Sequence, residues 1–82
     1  MHKVKVLFFA TLRDYVGSKS VEFDIPLGLT VSGLTDLLVA TYPLLEKVKD
    51  SLMAAINREY AANEQVIPEG AEIAFFPPVS GG

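Results

Sequence analysis

KVKVLFF (residues 3–9) and AEIAFF (residues 71–76) lie near opposite ends of the chain, and both read with the two-residue side-chain period of a strand. In the first, Val4, Val6 and Phe8 point one way, while Lys3, Lys5, Leu7 and Phe9 point the other. In the second, Ile73 and Phe75 share a face. Each strand therefore has an apolar face to bury, and what lies between must supply the cover.

The intervening sequence supplies one substantial helix. SVEFDI (residues 20–25) repeats the strand pattern, with Val21, Phe23 and Ile25 inward and Glu22 and Asp24 outward. TLRDYVGSK, just before it, has room only for a loop with about one helical turn. Pro26 and Gly28 end the second strand. Thr30 is then a suitable N-cap for a helix to about Tyr42, stopped by Pro43. Its apolar stripe is Val31, Leu34, Leu38 and Tyr42, with Leu37 alongside. Gly33 in its first turn costs about 1 kcal/mol relative to alanine. Residues 43–49 suggest a short second helix on Leu44, Leu45 and Val48, and LMAAIN (residues 52–57) a strand with NRE as its turn. A weaker strand is expected around Tyr60, Val66 and Ile67, with PEG as the turn before the last strand.

Strand, strand, helix, strand, weak strand, strand is the order of an α+β mixed sheet of about five strands, covered on one face by a helix. The first and last strands can lie side by side as its parallel centre, which is the β-grasp, or ubiquitin-like, arrangement. A chain of 82 residues holds one such domain, expected over residues 1–76, with residues 77–82 as an extended tail.

Several function classes are excluded. The net charge is −3 and the basic residues are scattered, so the basic stripe of a nucleic-acid binder is missing. No apolar run is long enough to span a membrane and no signal peptide is recognisable, so a soluble cytoplasmic protein is expected. Without cysteine there is neither a disulfide nor a thiolate metal site. His2 is the only histidine, read as a solvated terminal side chain, and the carboxylates lack the spacing of a metal loop. Gly28 and Gly33 are not a phosphate loop, because leucine occupies position 34. No bound cofactor or metal is expected.

Two Phe-Phe pairs are more informative. Strand alternation turns Phe8 and Phe75 to the helix, so Phe9 and Phe76 should emerge together on the opposite face if their strands are neighbours. Tyr60 could extend that patch. A loop could instead cover it, but an exposed aromatic patch ordinarily marks a partner surface. The chain then closes on PPVSGG. Six extended residues reach about 20 Å, at roughly 3.3 Å each. Pro77 and Pro78 favour an extended arm, and Gly81 and Gly82 can thread a narrow channel because they carry no side chain. The carboxylate of Gly82 is then the one reactive group that this chain can place inside another protein. It is a poor acyl donor until activated, for which an acyl-adenylate is the usual remedy.

VLFFATLRDYVG, LMAAIN and above all EGAEIAFFPPVSGG resemble the small subunit of molybdopterin synthase, the MoaD-type sulfur carrier family. The resemblance covers essentially the whole chain and implies the same β-grasp fold. It implies that Gly82 is adenylated by an E1-like adenylyltransferase using ATP, then thiocarboxylated with sulfur from a donor enzyme. The tail, residues Pro77, Pro78, Val79, Ser80, Gly81 and Gly82, would enter a large catalytic subunit in a heterotetramer and give sulfur to precursor Z in molybdopterin synthesis. Phe9, Tyr60 and Phe76 match the family's apolar contact surface, though an aliphatic residue would fit equally at position 60. Catalytic side chains, chiefly lysines, belong to the large subunit, so this chain is a donor rather than a catalyst. Arg13 matches a family arginine without an assigned role, and Gly33 departs from the helix former more usual there. Competing readings are a carrier for thiamine or tRNA thiolation, a ubiquitin-like protein modifier, and an unreactive interaction module.

Overall fold

A computed structural model describes residues 1–77 of the chain. Five strands, β1 (His2–Phe8), β2 (Ser20–Ile25), β3 (Met53–Ile56), β4 (Glu59–Ala61) and β5 (Glu72–Phe76), form one sheet in the order β2-β1-β5-β3-β4. β1 and β5 run parallel at its centre, with Val6 beside Ile73 and Phe8 beside Phe75. The other pairings are antiparallel. Helix α1 (Leu12–Val16) links β1 to β2, and α2 (Val31–Thr41) crosses the sheet before two 3₁₀ turns, Pro43–Lys47 and Lys49–Ser51.

The core lies between α2 and one sheet face. Val4, Val6, Phe8, Ile25, Ile73 and Phe75 from the strands meet Val31, Leu34 and Leu38 from the helix, all buried. Each such side chain contributes about 1.5–3 kcal/mol on leaving water. Leu12 is fully buried in the same cluster, so the short α1 is an anchored element rather than a loop ornament. Leu37, placed beside the helix stripe by its spacing, is 39% exposed, and buried Thr35 takes the inner position. Leu44 is likewise exposed, while Leu45 is buried.

Where the reading of the sequence extends the weak strand to Val66 and Ile67, the structure ends β4 at Ala61. The cause is the start of α2. A helix begins with amide groups that have no partner within it. Val31 N–H donates to Gln65 O at 3.0 Å, Ser32 N–H to Asn63 O at 2.9 Å, and Gly33 N–H to the Thr30 hydroxyl at 3.1 Å. The segment after β4 is thus drawn to the helix, and Val66 makes only an isolated bridge to Thr30. His2 also departs from the expected solvated terminus. It is the first residue of β1, opposite Ile25, and both ring nitrogens are shielded without a hydrogen-bond partner among the described residues.

Candidate functional site

The face opposite α2 is built by strand alternation and register. Leu7 lies beside Ala74 across the parallel pair, Ala55 and Met53 oppose Ala74 and Phe76, and Tyr60 opposes Ala55. Directly opposed residues share a face, so these side chains form one surface. It divides along the strands. Towards the start of β1, Lys3 opposes Asp24, and Lys5 lies between Glu22 and Glu72. Towards the ends of β1 and β5 the surface becomes apolar and aromatic.

There Phe9 stacks on Phe76, with 4.8 Å between ring centroids and 13° between planes. Tyr60 leans on Phe76 at 6.3 Å and 54°. With Leu7, Ala55 and Ala74 the three rings line an open groove of about 420 Å³, flanked by Arg58 and Glu72. Tyr60 is 75% exposed and Met53 40%, so no loop among the described residues covers this end of the sheet.

Local structure fixes each ring. Phe9 follows the last residue of β1, yet its N–H donates to Phe75 O at 3.2 Å and carries the parallel ladder one step further. Ala10, with φ 53°, then turns the chain into α1. Buried Leu12 holds that turn down, and Arg13 reaches back: its Nε donates to Phe8 O at 3.0 Å, and its guanidinium lies 5.7 Å from the centroid of the Phe9 ring. Tyr60 is set by the two-residue turn Asn57-Arg58, whose φ values of 49° and 74° suit a tight hairpin. Asn57 in turn ties this hairpin to β5, donating its N–H to Glu72 O at 2.8 Å and accepting Glu72 N–H on Oδ1 at 3.0 Å. Phe76 ends β5. The ladder stops there because Pro77 has no N–H to continue it.

The structure thus brings together Phe9, Tyr60 and Phe76, with half-buried Pro77 beside them as the chain leaves the sheet. Pro78, Val79, Ser80, Gly81 and Gly82 lie outside the described residues. Sequence reasoning did not single out the flanking Arg58 and Glu72, or the floor of Leu7, Ala55 and Ala74. Strand period already placed Leu7 with Phe9 and Ala74 with Phe76, but Arg58 sits in a turn, where no period applies. Among the described residues no three histidine or carboxylate side chains group to hold a metal ion.

The model of the ThiS family matches residues 6–82. The molybdopterin synthase sulfur carrier subunit of Arabidopsis thaliana is 35% identical, over 98% of this chain and 83% of its own. That of Escherichia coli K12 is 37% identical, over 96% and 99% respectively. Among solved structures, the small archaeal modifier protein 1 of H. volcanii superposes with a TM-score of 0.86 at 31% identity, covering 96% of this chain and all of its own. This chain belongs to the ThiS family and is built on its ubiquitin-like β-grasp fold.

Proposed function

We propose that this chain is the sulfur-carrier subunit of a molybdopterin synthase and acts in molybdenum cofactor biosynthesis in the cytoplasm. The relatives that carry this name match nearly the whole chain, and the family match runs through Gly82. The observation that carries the reading is the aromatic groove beside the point where the chain leaves β5. Phe9, Tyr60 and Phe76 offer apolar anchors to a large catalytic subunit, and the tail after Pro77 starts at the edge of that contact. The two features work as one device, in which the groove docks and Pro78, Val79, Ser80 and Gly81 deliver Gly82 to the partner's site.

The chemistry falls on the Gly82 carboxylate. An E1-like partner using ATP joins it to AMP with release of pyrophosphate, and hydrosulfide delivered by a donor enzyme attacks the acyl carbon and displaces AMP. The resulting thiocarboxylate bonds through sulfur to precursor Z on the large subunit. Water then cleaves the acyl-sulfur bond, leaving the sulfur on the precursor and the chain as a carboxylate. Two such transfers supply the two dithiolene sulfurs. This chain contributes position and a leaving sulfur. Acid-base groups come from the partner.

Intact mass spectrometry after incubation with ATP, the activating enzyme and a sulfur donor tests the carrier step. A mass gain equal to replacing one oxygen by sulfur, mapped to Gly82, is expected. An unchanged mass beside a working control carrier would refute it. A second reading, a protein modifier ending in an isopeptide bond to lysine, is favoured by the likeness to the archaeal modifier. A Gly82-lysine linkage in the presence of the activating enzyme would identify that use.

A further inference from the structure

We infer that Arg13 is a positioning residue for the docking groove: it acts through Phe9, holding the ring in its binding arrangement before the partner arrives. The inference rests on the docking reading above. Phe9 stands one residue beyond the last residue of β1, tied to β5 by its N–H donating to Phe75 O at 3.2 Å. The chain turns out of the sheet at the next residue, Ala10, with φ 53°. An aromatic side chain at such a strand end is free to change rotamer unless something restrains it. Two contacts restrain this one. Phe76 stacks on the ring at 4.8 Å, and the Arg13 guanidinium lies over it at 5.7 Å.

Arg13 is itself fixed at both ends. Its backbone belongs to α1, anchored by fully buried Leu12 and closed by Gly17 N–H donating to Arg13 O at 2.7 Å. Its head is oriented by the Nε bond to Phe8 O at 3.0 Å. A planar guanidinium can donate from Nε and still lie against a ring, whereas a lysine ammonium has no such geometry. Arg13, Phe9, Phe76 and Tyr60 are therefore one chain of contacts from α1 to β4. Ordering an interface side chain during binding weakens association, and a ring ordered in advance avoids that cost.

The test is a double-mutant cycle on the full chain with its large subunit, using Arg13→Lys, Phe9→Ala and the pair. Arg13→Lys keeps the charge and is expected to weaken Kd about threefold to tenfold. In the Phe9→Ala background the same change should have almost no further effect, because the ring it served is gone. An equal loss in both backgrounds would overturn the inference, as would no loss in either. The free chain gives an independent readout. NMR shifts of the Phe9 and Phe76 ring protons should move towards averaged values in Arg13→Lys while the core methyl signals stay put. Unchanged ring shifts would overturn the inference without touching the docking reading, whose own failure would appear as unweakened binding by Phe76→Asp.

Discussion

Phe76 is held between Phe9 on one neighbouring strand and Tyr60 beyond the other, and it is the last residue of β5 before Pro77. A charge there would enter an apolar contact without a partner, so Phe76→Asp should weaken association with the large subunit by tenfold or more, as for a central anchor worth about 2 kcal/mol. Because the ring is outside the core under α2, thermal unfolding should shift by only a few degrees. Titration calorimetry and a melting curve check the two halves of that statement. Gly33 makes the opposite kind of case. By helix propensity alone, alanine should stabilise by about 1 kcal/mol. In the structure an added Cβ would meet Leu29 Cδ1 at 2.5 Å and Cγ at 3.1 Å, and Leu29 packs against the core. Gly33→Ala should therefore fail to raise the melting temperature. A gain of about 4–8 °C, the equivalent of 1 kcal/mol in a domain of this size, would contradict the packing argument. The aromatic residues were legible in sequence because alternation fixes which ring of each pair faces outward. The contacts of Arg13 were not, since they depend on a one-turn helix folding back over the strand it follows.

Elements were legible wherever a period or a capping residue was long enough to speak. β1, β2 and β5 were placed within a residue of their observed ends, and Thr30 is the N-cap of α2. Thr30→Ala removes the acceptor for Gly33 N–H and should lower stability by about 1 kcal/mol, visible as a drop of about 4–8 °C in the melting temperature. The segment after Ala61 departs from the strand that Val66 and Ile67 suggest, because the unpartnered amides of the α2 start are a stronger local demand. Leu12 was passed over because five helical residues show no full apolar period. The turn between β3 and β4 offers a gain instead of a loss. Arg58 holds φ 74°, a region that costs a non-glycine residue energy, so Arg58→Gly should leave the hairpin intact and raise the melting temperature modestly. A lower value would mean that the Arg58 side chain contributes more than its backbone costs.

In the whole molecule, the parallel centre of the sheet connects fold to function. Because β1 and β5 run side by side in the same direction, both end at the same edge, where Phe9, Phe76 and Pro77 come together. That convergence followed from two terminal strands with one apolar face each, and so could be read before the structure. The residues that would carry the chemistry, Gly81 and Gly82, came from the chain's ending and from the resemblance, since no packing period describes them. Docking by the groove and donation by the tail are separable. One residue appended after Gly82 should block the sulfur-for-oxygen mass gain while the melting temperature and the affinity of the groove for the large subunit change little. If the extended chain still gained sulfur at its terminus, Gly82 would not be the acceptor. The most direct test of the central claim is a single-turnover reaction of the thiocarboxylated chain with the large subunit and precursor Z, following both products by mass. Molybdopterin dithiolene, which holds two sulfurs, is predicted to form as two equivalents of the chain return to their carboxylate mass. Retention of sulfur on Gly82, with an authentic carrier active in the same mixture, would contradict it.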